Sequence, residues 1–242
     1  MSGDLPQWDI FYIFDGMNTS QLPPFVISVG RQFGSGGREL AKALATELGI
    51  DYYDKELLVK ASSHSGISRE FFEKTDEKFP SFLQGLFSFT MGVTPMCYYT
   101  GTGAITDDSL YKAVSDFLRS EAEKNSFVVV GRTADYVLRD HPRMVSIFLH
   151  APMEECVSRI TRRAPELSAD KAAQMARRTN KWRSEYYNFF TDKEWGHASS
   201  YDLTIDTSKM AIPEAVKLIK AYLQLRGLIP ADPSATPQNA ES

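Results

Sequence analysis

A glycine-rich turn at residues 34–37 has the residue types that bind phosphate. The preceding segment, Phe25 to Val29, is short, apolar and β-branched, which predicts a buried strand. From Arg38 to Leu48, apolar residues recur at helical spacing. A turn between a strand and a helix can direct backbone N–H groups at an anion, and the helix N-terminus adds partial positive charge. The sequence therefore predicts a phosphate cradle formed by Gly34, Ser35, Gly36 and Gly37.

This cradle departs from the usual phosphate-binding fingerprint, G-x-x-x-x-G-K-[ST], at its charged position. Gly37 stands where the lysine is expected, and Arg31 stands at the first glycine. Arg38 occupies the position of the Ser or Thr that binds magnesium. Because a guanidinium can donate two hydrogen bonds to one phosphate, we expect Arg38, helped by Arg31, to replace the lysine. The nearest candidates for Mg²⁺ or its water shell are Ser35 and Glu39.

Strands alternate with helices along the chain, which predicts an α/β fold with a parallel sheet covered on both faces. Further strands are predicted at 50–53, 127–130, 144–149 and 201–205, and further helices at 54–62, 108–124, 152–163, 168–190 and 212–225. Ligands of such sheets bind at the carboxyl ends of the strands. The predicted strand ends carry Gly30-Arg31, Gly131-Arg132, His150-Ala151 and Asp206-Thr207.

Composition narrows the classes of partner. The formal net charge of −4 argues against a general nucleic-acid binder, which normally carries a basic surplus. No run of residues reaches the roughly 18 apolar positions that a membrane span needs. The segment 1–24 lacks Lys and Arg, so it does not have the pattern of a signal peptide. We therefore expect a cytoplasmic protein with small-molecule ligands, no nucleic-acid or membrane partner, and an oligomeric state left open.

Four separated motifs resemble the cytidylate kinase-like family of nucleoside monophosphate (NMP) kinases. They are ISVGRQFGSGGRE at 27–39, YDKELL at 53–58, VGRTADYVL at 130–138 and YDL at 201–203. The resemblance covers roughly residues 25–225. It implies a three-layer P-loop NTPase fold with a helical NMP-binding insertion and a lid. The activity that it implies is transfer of the γ-phosphoryl group of ATP to CMP or dCMP, with Mg²⁺.

The resemblance also implies where the acceptor binds. Asp54 matches the aspartate that begins the NMP-binding helix, and Gly131-Arg132 matches the pair that holds the monophosphate. The next residue, often an aspartate that reads cytosine, is Thr133 here, with Asp135 two positions on. This departure leaves the base preference open. The predicted substrate-binding residues are Asp54, Lys55, Gly131, Arg132, Asp135, Asn180 and Arg183.

A basic segment at about 159–183 is predicted to form the lid. In the family the lid supplies an arginine, an acid and a further arginine; Arg178 or its neighbour Arg177, Asn180 and Arg183 fit that spacing. The predicted catalytic residues are Arg38, Arg132, Arg178 and Arg183. The predicted ATP-binding residues are Arg31, Gly34, Ser35, Gly36, Gly37, Arg38, Glu39, Arg159 and Thr207. The aromatic residues at 186, 187, 189 and 190 are interpreted as core or interface.

The domain division follows from these features. We expect an N-terminal extension at 1–24, a kinase domain at 25–228 with its NMP-binding region at about 54–108, and a disordered tail at 229–242. Two alternatives to a cytidylate kinase stay open. One is a nucleotide sensor with weak catalysis, which the missing lysine suggests. The other is a P-loop kinase with a different small-molecule acceptor, which the irregular segment at 79–107 suggests.

Overall fold

The computed structural model describes residues 22–54 and 107–231. The helix predicted at 54–62, Lys55 and most of the predicted NMP-binding region lie outside the described residues, as do most of the N-terminal extension and of the C-terminal tail. Among the described helices, none combines the length and the apolar character needed to span a bilayer.

Five parallel strands form one sheet in the order β2-β3-β1-β4-β5. The strands are β1 (Val26–Arg31), β2 (Asp51–Tyr53), β3 (Phe127–Val130), β4 (Met144–His150) and β5 (Leu203–Asp206). Strands β1 and β3 are apolar runs buried on both faces, as expected for the centre of a parallel sheet. Each of the five agrees with a predicted strand to within two residues at either end.

Helices cover both faces of the sheet. They are α1 (Gly37–Leu48), α2 (Asp107–Ala122), α3 (Ala134–Val137), α4 (Met153–Arg163), α5 (Ala169–Thr191) and α6 (Ile212–Leu225), with a 3-10 turn at Ala198–Ser200. Helix α5 begins as predicted, because the Ser168 hydroxyl accepts a hydrogen bond of 3.4 Å from the backbone N–H of Lys171. Helix α6 has the predicted bounds.

Two apolar clusters pack against opposite faces of the sheet. On one face, Leu40 and Leu44 of α1 and Ile219 of α6 pack with alternate residues of β1 and β3. On the other, Phe117 and Leu118 of α2 pack with Val26 of β1 and with Phe127 and Val129 of β3. The result is the expected three-layer arrangement, helix–sheet–helix. Helices α4 and α5 pack together against the loop after β1, where Phe33 contacts their shared apolar cluster.

Candidate active site

The turn after β1 has the backbone shape of a phosphate cradle. Gly34 and Gly36 both adopt the left-handed conformation, with φ of 85° and 80°. At Gly34 a side chain is also excluded by space, because an added Cβ would lie 2.8 Å from the carbonyl oxygen of Cys156 in α4. Gly36 is the N-cap of α1, so the turn leads directly into the helix N-terminus. This geometry can bind a phosphate group through backbone N–H groups at the helix N-terminus.

Ser35 holds the turn in shape. Its side chain is fully buried, and its hydroxyl donates a hydrogen bond of 2.9 Å to the carbonyl oxygen of Gln32. Its own carbonyl oxygen accepts a hydrogen bond of 2.7 Å from the hydroxyl of Thr207, which follows β5. The loops after β1 and β5 are therefore tied together at the cradle. The structure places Ser35 in a bracing position, whereas the sequence analysis proposed it for magnesium.

Arg159 of α4 lines a cavity next to the cradle, which we name the ATP-side cavity after its predicted ligand. Its guanidinium donates hydrogen bonds of 2.9 Å to the Thr207 hydroxyl and 2.7 Å to the Thr207 carbonyl oxygen. The predicted ATP-binding residues Arg159 and Thr207 therefore lie together beside Gly36. The cavity is lined mainly by Ser35, Gly36, Leu40, Arg159, Thr207 and Ile212.

The described residues offer Mg²⁺ no direct protein ligand set. Arg38 occupies the usual Ser/Thr position, and Glu39 is ion-paired to Arg163 of α4, with 2.6 Å between Oε1 and Nη2. Within residues 22–54 and 107–231, no group of three His, Cys, Asp or Glu side chains is placed to hold a metal. Mg²⁺ often binds mainly through substrate phosphates and water, so we expect it to arrive with ATP.

Arg38 and Asp54 form an ion pair at the end of β2. The Nε of Arg38 lies 2.6 Å from Oδ2 of Asp54, and the carboxylate is buried while the arginine side chain is 42% exposed. The sequence analysis assigned Arg38 to ATP and Asp54 to the acceptor. The structure brings the two side chains into direct contact.

Arg31, the last residue of β1, packs its side chain between two glycines. Its Cβ and Cγ lie against Gly37 at the start of α1, and its guanidinium lies against Gly131 after β3. Burial lowers the pKa of Arg31 to about 10, while Asp54 acts in the opposite direction. A group with this pKa still carries its positive charge at neutral pH.

The turn after β3 has an unusual backbone. Gly131, Arg132 and Thr133 are all left-handed, with φ of 76°, 64° and 51°. Non-glycine residues rarely adopt this conformation, and such strain is concentrated at functional sites. Burial lowers the pKa of Arg132, which lines a pocket with Gly131. The predicted pair Gly131-Arg132 is thus held in a fixed, strained turn at the carboxyl end of β3.

The pocket lined by Gly131 and Arg132, which we name the acceptor pocket after its predicted ligand, combines arginines with aromatic rings. Among its lining residues are Arg31, Arg132 and Arg183, together with Trp182, Tyr186, Tyr187, Trp195 and Tyr201. At its wall, the buried carboxylate of Asp135 accepts a hydrogen bond of 2.6 Å from the Tyr187 hydroxyl. Burial raises the pKa of Asp135, partly offset by that hydrogen bond. Rings, a carboxylate and cations are the groups that a nucleotide's base and phosphate would contact.

Helix α5 touches both halves of the site through one face. Asn180 Oδ1 accepts a hydrogen bond of 2.7 Å from the backbone N–H of Phe33. Arg183 donates one of 2.8 Å to the carbonyl oxygen of Arg31. Burial first, and then the neighbouring arginines, lower the pKa of Arg183 well below its usual value. Arg178, the proposed upstream partner, is exposed on the same helix, whereas Asn180 and Arg183 are partly buried.

The aromatic lining was missed by the sequence interpretation. Tyr186 and Tyr187 line the acceptor pocket, Phe190 stacks on Tyr111 at 4.5 Å, and Phe189 is 79% exposed. The available signal was spacing: Trp182, Tyr186 and Tyr187 lie within one turn of Arg183 on the same helix.

A cradle at the end of β1, in a parallel sheet of order β2-β3-β1-β4-β5, defines the class of P-loop kinases. The profile of the cytidylate kinase-like family matches residues 26–209, and the chain belongs to that family. Family and fold support a nucleotide-binding phosphotransferase.

Individual relatives are more distant. Two cytidylate kinases from strains of Saccharolobus islandicus are each 27% identical over 119 residues, covering 49% of this chain and 60% of theirs. The chain therefore spans about 60% of the length of these curated relatives. A crystal structure of an uncharacterized protein from Eubacterium ventriosum is similar with a TM-score of 0.61 and 27% identity, covering 83% of this chain and 98% of that chain.

Proposed function

We propose that the protein transfers the γ-phosphoryl group of ATP to CMP or dCMP. The observation that carries this proposal is the position of the acceptor pocket, which adjoins the phosphate cradle. Arg31, at the end of β1, packs against Gly37 of the cradle and also lines the pocket. An ATP held by the cradle and a nucleotide held in the pocket would meet at this residue. We infer a cytoplasmic location, where both substrates are available.

The reaction needs positioning and charge neutralisation more than covalent help from the protein. A phosphate oxygen of the acceptor forms a bond to the γ-phosphorus, and the bond from that phosphorus to the β–γ bridging oxygen breaks. ADP leaves with the bond's electron pair. In this proposal Arg132 holds the acceptor phosphate, and Arg183 stabilises the transferring group. Bound Mg²⁺ would supply further neutralisation of the triphosphate.

Asp135 supports a cytosine acceptor. Its Oδ2 is held by Tyr187, which fixes the carboxyl group in the pocket wall. A carboxylate accepts hydrogen bonds from the exocyclic amino group of cytosine, and uracil has no such donor. The aromatic side chains of the pocket offer surfaces on which a planar base can stack. Thr133, at the position where the family often has an aspartate, carries no negative charge, and its hydroxyl donates a hydrogen bond of 2.6 Å to the carbonyl oxygen of Arg132.

A phosphotransfer screen tests the proposal. The full chain is incubated with ATP, Mg²⁺ and each common nucleoside monophosphate, and the diphosphate products are separated. We expect CMP and dCMP to be converted and UMP to be converted at least about tenfold more slowly, the loss for one hydrogen bond to a charged group. ATP binding without transfer to any monophosphate would contradict the proposal and favour a sensor. Faster transfer to a non-nucleotide would replace CMP as the acceptor.

A further inference from the structure

We propose that Arg31 takes the place of the missing cradle lysine and binds the β- and γ-phosphates of ATP. The inference rests on the proposed use of ATP and does not depend on which acceptor is used. It changes the expectation from the sequence, which assigned this role first to Arg38.

The Arg31 side chain fills the space in which the stem of a lysine at position 37 would lie. A Cβ added at Gly37 would lie 2.6 Å from Cβ and 2.8 Å from Cγ of Arg31, closer than real atoms approach. The φ of Gly37 is not positive, so its backbone conformation does not require glycine. Gly37 is therefore glycine because the arginine stem occupies the position at which a lysine stem would begin.

The positive charge of Arg31 lies at the acceptor pocket, next to the cradle. The guanidinium of Arg31 lies against Gly131, whose missing side chain gives it room. Its carbonyl oxygen is held by Arg183, which fixes the backbone from which the side chain departs. The charge thus stands between the cradle and the acceptor pocket, which is where the terminal phosphates of ATP would meet the acceptor.

Arg31 belongs to a cluster of four arginines with a surplus of positive charge. Burial and the three neighbouring guanidiniums of Arg31, Arg38 and Arg132 lower the pKa of Arg183, whereas Asp54 acts in the opposite direction. Asp54 is already paired with Arg38, and Asp135 in the pocket wall is held by the Tyr187 hydroxyl. Such a cluster is stabilised by a ligand that carries several negative charges, as a triphosphate does.

Arg38 is less suited to the role. Its Nε is 2.6 Å from the Asp54 carboxylate, so binding a phosphate would compete with an existing ion pair. Arg31 contributes its guanidinium from inside the cluster and needs no such exchange.

Binding measurements with the full chain test the assignment. ATP and AMP affinities are measured by calorimetry for the wild type, Arg31→Ala, Arg38→Ala and the surface control Arg119→Ala. We expect Arg31→Ala to weaken ATP binding by about 10- to 100-fold, the range for hydrogen bonds to a charged group. AMP lacks the β- and γ-phosphates, so its affinity should change less than about twofold. An unchanged ATP affinity in Arg31→Ala, or an equal loss in Arg38→Ala, would overturn the assignment.

A double-mutant cycle tests the shared space independently of activity. Gly37→Lys alone places a stem where the Arg31 stem already lies, so its melting temperature should fall. Arg31→Gly with Gly37→Lys restores the first glycine and the lysine of the usual fingerprint, and it should recover the melting temperature and bind ATP more tightly than Arg31→Ala. A Gly37→Lys protein as stable as wild type would contradict the steric argument.

The two proposals fail in different ways. A wild type that binds ATP but phosphorylates no monophosphate overturns the cytidylate kinase proposal and leaves the Arg31 assignment standing. A wild type that does not bind ATP overturns both.

Discussion

The ATP-side cavity and the acceptor pocket are built by different means. Around the cradle, hydrogen bonds of Ser35, Thr207 and Arg159 fix backbone and side chains to one another, so shape is determined by a closed network. In the acceptor pocket, Arg132 and Asp135 are charged groups held by burial and by a strained turn. Hydrogen bonds to the backbone therefore hold the ATP-side cavity, whereas burial and a strained turn hold the charged groups of the acceptor pocket.

The difference shows that a phosphate cradle can be separated from its cation. In the usual fingerprint the lysine belongs to the cradle itself. Here the turn keeps the glycines without a lysine. Arg31, Arg132 and Arg183 lie on the pocket side, and Arg159 and Arg163 line the ATP-side cavity. Loss of the lysine from the motif is therefore no argument for loss of phosphate chemistry.

Arg132→Ala should produce the largest effect, because it removes charge from the side that relies on it. We expect kcat/KM for CMP to fall by about 10²- to 10³-fold, the cost of removing one electrostatic donor from a transition state. The KM for ATP should stay within about twofold of wild type, a change too small for a lost hydrogen bond. Steady-state kinetics with each substrate varied in turn measures both.

Arg132→Gly is the matched control for that variant. Glycine adopts the left-handed φ of 64° without strain, so the fold is preserved while the guanidinium is still lost. Both variants should therefore lose activity alike. An activity near wild type in Arg132→Gly, or a larger defect for ATP than for CMP in either variant, would contradict the division between the two sides.

Arg38→Ala should mainly lower stability. It leaves the buried Asp54 carboxylate without its ion pair, at a cost of about 1–3 kcal/mol in the free energy of unfolding. The comparison variant is Lys220→Ala, which breaks an ion pair of the same 2.6 Å length between Lys220 and Glu47 on the surface. That loss should be at most about 1 kcal/mol. Urea denaturation compares them; a stable Arg38→Ala protein with a raised KM for ATP would instead favour the role expected from the sequence.

Asn180→Ala should loosen the cradle from α5. The Phe33 backbone N–H loses its acceptor at 2.7 Å, which should cost about 1 kcal/mol and raise the KM for ATP modestly. Asn180→Asp keeps an oxygen in place and serves as the control. Thermal unfolding and ATP kinetics of both proteins measure the effect. An Asn180→Ala defect confined to the acceptor would show that this residue belongs to the other side.

Asp135→Asn should give the smallest stability change, and one that depends on pH. Burial raises the pKa of this carboxyl above the ordinary 3.8, so the folded protein binds its proton more tightly than the unfolded chain. The stabilising contribution is present below pH 3.8 and is lost as the pH rises through the native pKa. The variant lacks this loss, so its melting temperature should exceed that of wild type at neutral pH and converge with it in acid.

Circular dichroism melts at a series of pH values test this. A difference between the two proteins that stays constant with pH would show that the carboxyl group does not titrate as proposed. The same variant should lose CMP activity, because an amide also offers N–H donors to the amino group of cytosine.

Local patterns were enough to predict the fold. Buried apolar runs predicted β1 and β3, and helical spacing predicted α6, because these signals depend on neighbouring residues. The end of β1 was placed two residues early. Arg31 belongs to the strand because it pairs with Leu149 of β4, and that partner cannot be read from the strand's own residues.

The sequence predicted which strand ends form the site, but it did not predict which side chains touch each other there. The ends of β1 and β3 converge as expected, yet the ion pair of Arg38 with Asp54 and the packing of Arg31 on Gly131 join distant segments. Spacing along the chain carries no information on such pairs. The two tyrosines of α5, Tyr186 and Tyr187, were assigned to the core or an interface, whereas both line the pocket.

The contact of Arg31 with Gly37 also has an evolutionary consequence. A lineage cannot exchange this cradle for the lysine form one residue at a time at equal fitness. Lysine first collides with the arginine stem. Under the Arg31 proposal, glycine first at position 31 leaves the terminal phosphates without their cation. The two positions should therefore change together. A search that demands lysine would overlook every descendant of the arginine form.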